Sequence, residues 1–218
     1  MVKFTKIDKQ QRKELNNSIR SAVKKLKISS KSERYFVKVG DYLVKYLIDI
    51  NFPDNQFSLT ITPSIKPYIL DDIFWEVFDM ADNSLQPMSL RAIGAFTVGP
   101  LMLTPVNVKK EWTPENIDMS EVEELVFNAL YDLHRDISSL VASFNDIEDY
   151  YSYAIDHGLT NENYHLTTML MMIYNKKYAD AKNMAEDLLL NHKRGSFKNG
   201  DKWINEYIVD YCNERMEK

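Results

Sequence analysis

One stretch constrains the fold of this chain more than any other: Glu33 to Ile65, ERYFVKVGDYLVKYLIDINFPDNQFSLTITPSI. Two-residue alternation runs long here and is interrupted by turn residues. Tyr42, Val44, Tyr46, Ile48, Ile50 and Phe52 fall on one face, because successive side chains of a strand point to opposite sides. Gly40-Asp41 can supply the positive φ of a two-residue hairpin. Pro53-Asp54-Asn55 closes the next connection, with proline suited to the first central position of a turn. The expectation is a three-stranded antiparallel meander. The opposite face of its second strand, Leu43, Lys45, Leu47, Asp49 and Asn51, is mixed, so one side of the sheet is covered and the other partly wet. Pro63 and Pro67 suggest a third strand that either frays or sits at an edge.

Before the meander, Asp8 with Gln11 matches a capping box. Leu15, Ile19, Ala22, Val23 and Leu26 then recur at helical spacing, giving one amphipathic helix. Ser29–Ser32 reads as a polar break. After it, Asp71-Asp72 opens a short helix with Ile73, Phe74, Val77 and Phe78 on one face and Trp75 pointing elsewhere. That tryptophan is either a partner contact or packed under a loop. Arg91–Val98 reads as a fourth strand and Met102–Val108 as a short fifth. Beyond the proline-rich stretch Gly99–Pro114 the period changes. Ser120 and Glu123 form a second capping-box match, and Val122, Leu125, Val126, Ala129, Leu130, Leu133 and Ile137 hold a helical stripe. Further helices are expected at about 147–156, 162–174, 178–190 and 200–217, with breaks at His157-Gly158-Leu159, Asn175-Lys176-Lys177 and Arg194-Gly195.

The fold class expected is therefore α+β. An N-terminal helix packs on a four- or five-stranded antiparallel sheet over residues 1–114. A helical subdomain of about five helices follows over 115–218 and packs against it. At 218 residues, 44% hydrophobic and 27% charged, the chain has ordinary globular composition. Its longest apolar run is far short of the ~20 residues of a membrane span. The charged N-terminus lacks the pattern of a secretory signal. The single cysteine, Cys212, excludes an internal disulfide and points to a reducing, cytoplasmic setting.

Charge is divided unevenly. Residues 1–45 carry 13 Lys/Arg against four Asp/Glu, and the remainder 14 against 28. The basic segment is either a nucleic-acid surface or the solvated face of the first helix. It lacks the interleaved aromatics of a single-strand binder, which favours the second reading.

No motif assigns a reaction. His134-Arg135-Asp136 matches a kinase catalytic-loop triplet, but the metal-binding asparagine expected five residues on is Val141. The four histidines have no zinc spacing, and the acidic clusters at Glu121-Glu123-Glu124 and Asp146-Glu148-Asp149 lack calcium-loop glycines. There is no nucleophile elbow, P-loop or dinucleotide fingerprint. No cofactor or metal is expected.

Two resemblances add to this. The stretch YHLTTMLMMIYNKKYADAKNMAEDLLLN, with Tyr174, Tyr178 and Ala181, resembles one tetratricopeptide-type helical hairpin; no second copy follows at that period. The basic helix, the aromatic meander with its Gly-Asp and Pro-Asp-Asn turns, and Trp75 together resemble a bacterial domain family of unknown function. That family is found among immunity proteins of polymorphic toxin systems. The resemblance implies a non-catalytic binding module that occludes a protein partner, with a basic toxin suited to the acidic half of the chain. Lys45, Asp49 and Trp75 are the partner-contact candidates. The alternatives are an enzyme with a site dispersed over Lys45, Asp49, His134 and Asp136, and nucleic-acid binding through the first helix.

Overall fold

The computed structural model describes residues 7–158 and 161–217. The first six residues and the expected turn residue Leu159 lie outside them. The chain forms two compact units, Met1–Ile65 with Met102–Asn145 and Lys66–Leu101 with Asp146–Lys218. The fold is α+β: an N-terminal helix contacting a six-stranded antiparallel sheet, followed by C-terminal helices.

In the first unit, α1 (Lys9–Lys25) begins with the expected capping box. The Asp8 carboxylate accepts from the Gln11 N–H at 2.8 Å, and the Gln11 side chain accepts from the Asp8 N–H at 3.0 Å. Leu15, Ile19, Ala22 and Val23 are buried, each large one contributing roughly 1.5–3 kcal/mol. Strands β1 (Ser29–Lys31), β2 (Arg34–Val39), β3 (Tyr42–Asn51) and β4 (Phe57–Pro67) follow in hairpin order. Ser29–Ser32 is thus no passive break. Its first three residues pair with Arg34–Phe36 around a two-residue turn, Ser32-Glu33, both with positive φ. Gly40 alone has positive φ in the next turn, the pattern of a type II′ hairpin.

At the third turn the expected proline role is corrected. Pro53 is the first residue, accepting from the Gln56 N–H at 3.0 Å, and Asp54-Asn55 are the central pair with φ of 51° and 64°. Short polar side chains tolerate that region best.

Nor is β4 an edge strand. It lies between β3 on one side and β5 (Leu101–Met102) and β6 (Val106–Lys110) on the other. Its neighbouring segment is interrupted where Pro63 has no N–H to give. Ile61 is paired with Val106, and the Pro63 carbonyl instead accepts from Leu103 at 2.9 Å. The long helix α4 (Met119–Ser143) packs on α1. Pattern change at residue 114 marks its approach and lies inside this unit. Its N-cap is Asp118, which accepts from the Ser120 N–H at 2.7 Å; Ser120 does not cap. Glu123 is drawn away to α1, where Lys25 lies 2.6 Å and Ser21 2.7 Å from its carboxylate. The apolar face of β3 is shared: Tyr42 meets Phe144 just beyond α4, and Tyr46 meets His134 on it.

The second unit holds α2 (Tyr68–Val77), α3 (Met88–Ile93), α5 (Ile147–Asp156), α6 (Asn161–Tyr174), α7 (Tyr178–Leu190), the β7–β8 hairpin (Lys198–Asn199 and Lys202–Trp203) and α8 (Ile204–Met216). The expected fourth strand, Arg91–Val98, is instead the end of α3 and a loop. Short apolar runs fit either period. Gly94 closes the helix, donating to the Leu90 carbonyl at 2.7 Å, where a Cβ would sit 2.5 Å from that oxygen. The last helix starts at Ile204 rather than 200, because Gly200 (φ 57°) turns a hairpin. Ala181 and Ala185 are fully buried on α7, which packs against α6 and α8, and Met169 and Met171 are core residues. Phe74, Phe78, Phe96, Phe197 and Tyr207 form one aromatic cluster with centroid separations of 5.0–6.4 Å.

Candidate functional site

The groups capable of acid–base chemistry are largely engaged inside their own units. Tyr46 Oη lies 2.7 Å from His134 Nδ1. Desolvation pushes the histidine below its ordinary value and the phenol above its own, so both stay neutral near pH 7. Tyr46 is 1% exposed, which closes it to a substrate. Cys212 is buried, its thiol pushed up to about 11 by desolvation, and packs as a small hydrophobe.

A second buried network holds the second unit together. Lys66 (1% exposed) donates to Asp71 (0%) at 2.8 Å and to the Val98 carbonyl at 2.9 Å. Asp71 also accepts from the Val98 N–H at 2.9 Å, and the Arg91 guanidinium lies 3.8 Å away. Burial pushes the Asp71 carboxyl up, against the pull of Lys66, the Val98 N–H and Arg91. The Arg91 guanidinium sits over the Tyr68 and Trp75 rings at 4.7 and 4.6 Å and donates to the Tyr68 carbonyl and to Asp72.

Trp75 is accordingly a core residue, fully buried, with its indole N–H donating to the Phe96 carbonyl at 2.7 Å. Its place as an exposed partner contact is corrected: the helix begins at Tyr68, three residues before the expected start, and the Trp75 ring turns under the 94–98 loop. Lys45 is half-buried opposite Phe36 on β2. Asp49 is exposed, beside Asn51 at 3.4 Å, and lines a cavity with Arg12, Asn16 and Glu33 that includes neither Lys45, His134 nor Asp136. Four residues along a strand put Lys45 and Asp49 about 13 Å apart. His134 and Asp136, two apart on α4, face different ways, and Asp136 pairs with Arg135 at 3.1 Å. The dispersed catalytic set is therefore not assembled.

The acidic clusters have structural duties as well. Asp146 caps α5 by accepting from the N–H groups of Glu148 and Asp149. Glu148 accepts from the Asn175 side chain. Among the described residues no group of three His, Cys, Asp or Glu could hold a metal ion, and no helix is long and apolar enough to cross a membrane.

One surface that the first unit presents is the exposed face of α4. Tyr131 is 54% exposed and stacks on half-buried Phe127 with centroids 6.2 Å apart and planes 19° from parallel. The same helix carries the exposed carboxylates of Glu121, Glu124, Asp132 and Asp136, of which Glu124 shares the side of Tyr131, with Arg135 as its one Lys or Arg. Arg135 lies between Asp132 and Asp136, at 3.1 Å from each. This face was not among the sequence candidates, although the signal existed: Phe127 and Tyr131 are the aromatic residues off the apolar stripe of α4. Compared with known proteins, the chain matches no family model, no curated protein and no solved structure.

Proposed function

We propose that this chain is a non-catalytic protein-binding module that uses the outward face of α4 to cover a basic partner. The observation that carries this reading is the half-exposed Tyr131, stacked on Phe127, on a helix whose exposed residues include Glu121, Glu124, Asp132 and Asp136. Tyrosine gives large contact area at low entropic cost, and such anchors at the centre of an interface dominate its energy. The flanking carboxylates raise the encounter rate with a cationic surface and bias orientation. An immunity-type protein working in the cytoplasm, which neutralises a basic toxin by occluding its working surface, fits this arrangement.

The test is affinity capture from the source cells with the wild-type chain and with Tyr131→Ala, the retained protein being identified by mass spectrometry. A basic protein held at stoichiometric level by the wild type and lost from the variant supports the proposal. Retention of the same protein by both, with unchanged circular dichroism, counts against it.

A further inference from the structure

The second unit contains a cavity of about 440 Å³ between α6, α7 and the loop that leads to α8. Its floor is apolar: Leu166, Met169, Leu188 and Phe197. Its rim carries exposed Lys193 and Arg194 and half-buried His165, and no acidic residue lines it among the described ones. The segment Asn191–Trp203 is basic within an acidic half of the chain, with Lys193, Arg194, Lys198 and Lys202 against Asp201.

The loop is built to a fixed shape. α7 ends with His192 in the left-handed region (φ 58°), so that the His192 and Lys193 N–H groups donate back to Leu189 and Leu188. Asn205, 3% exposed, then holds the other side. Its side-chain N–H donates to the Lys193 carbonyl at 2.8 Å and its backbone N–H to the Arg194 carbonyl at 3.4 Å. Gly195 lies between them at φ 86°, and a Cβ there would come within 2.3 Å of Ile204 Cγ2. With the backbone of Lys193 and Arg194 pinned to α8, their side chains emerge at the cavity mouth, and neither forms an ion pair among the described residues. His165 Nδ1 is buried without a hydrogen-bond partner, and its residue belongs to the lining.

We infer that this cavity is a binding site for a small amphipathic carboxylate, an apolar body of small-molecule size bearing one anionic end. The volume falls in the range of ligand pockets, about 300–1,000 Å³, which are apolar with a few convergent polar groups. The carboxylate lies between Lys193 and Arg194, where charge-assisted hydrogen bonds are strongest. An adjoining, more open cavity shares His165, Leu188 and Lys193 and adds Met172, Met184 and Asp187. Asp187 repels an anion there, which directs the charged end toward Arg194 and leaves methionine surface for the tail.

The experiment is isothermal titration of the full chain with octanoate, octan-1-ol and octylamine, repeated on Lys193→Glu/Arg194→Glu. Both changed side chains are exposed, and a thermal melt confirms that the variant is folded. The expected result is saturable one-site binding of octanoate, at least tenfold weaker binding of the alcohol and the amine, and at least tenfold weaker octanoate binding by the variant. Equal affinity for octanoate and octanol, or an unaffected variant, overturns the assignment. So does saturation by a peptide ending in Leu-COO⁻ where octanoate does not bind, which would give the cavity to a protein C-terminus. Because α4 takes no part in this cavity, Tyr131→Ala leaves octanoate binding unchanged.

Discussion

The Lys66–Asp71 pair allows the energetics of the second unit to be tested quantitatively. Both side chains are almost completely buried and 2.8 Å apart, so removing one charge strands the other in a medium that solvates it poorly. Asp71→Asn keeps an oxygen for the Val98 N–H but takes from the Lys66 ammonium its buried counter-charge. Lys66→Met keeps the aliphatic stem but leaves the carboxylate with the Val98 N–H and, as its nearest cation, Arg91 at 3.8 Å. Each single change is expected to cost about 3–5 kcal/mol. The double variant has no stranded charge at this position. It loses chiefly the Lys66–Val98 hydrogen bond, about 0.5–1.5 kcal/mol. The losses are therefore strongly non-additive, with the double variant more stable than either single one by roughly 2 kcal/mol or more. Urea unfolding followed by tryptophan fluorescence reads this out, since Trp75 and Trp203 lie in the same unit as the pair and Trp112 in the other. Single losses that add to within about 0.5 kcal/mol would refute the reasoning, because that is the behaviour of independent sites.

Other perturbations have equally definite outcomes. Four helices, α1, α2, α6 and α7, end with a non-glycine residue in the left-handed region: Lys27, Asp79, Lys176 and His192. Lys176→Gly should raise stability by about 1 kcal/mol, or roughly 2–4 °C in Tm for a chain of this size, measured by calorimetry. Ala181→Leu overfills the core around α7, where Ala181 has no exposed surface, and should cost about 1–3 kcal/mol in urea unfolding. The hydrogen bond from Lys25 holds the Glu123 carboxyl below its ordinary value of 4.5. Its stabilising share is therefore present above that pH and lost as pH falls through the lowered folded value. The stability difference between wild type and Glu123→Gln, followed by urea titration at pH 7 and pH 3, should shrink toward zero at the lower pH.

The sheet was legible where side-chain period and turn chemistry agreed. Alternation from Tyr42 to Phe52 and the glycine at position 40 specify the second hairpin without help from the rest of the chain. The capping box at Asp8 and the span Ile147–Asp156 were legible for the same reason, each being settled within a few residues. What could not be read is what distant chain decides. Ser29–Lys31 becomes a strand only because Arg34–Phe36 offers it a ladder. Glu123 fails to cap because Lys25 and Ser21 on another helix take its carboxylate. Pro63 suggested an edge, yet its missing N–H falls opposite the gap between β5 and β6, a match invisible before both strands are placed. Arg91–Val98 carries too short an apolar run to separate strand from helix, and the deciding force is a guanidinium drawn onto Tyr68, Asp72 and Trp75. On the functional side, Lys45 and Asp49 were chosen for standing on a mixed face. The presented aromatic pair instead lies on α4, where an off-stripe tyrosine was the available clue.

The most direct measurement is the affinity of the captured partner for the wild-type chain and for Tyr131→Ala, by titration calorimetry at low and physiological salt. An anchor of this kind is worth about 2 kcal/mol or more, so truncation should weaken binding at least about 30-fold while wild-type affinity falls with added salt. A variant that binds as tightly as the wild type, with no salt dependence in either, would contradict the assignment of the α4 face as the working surface.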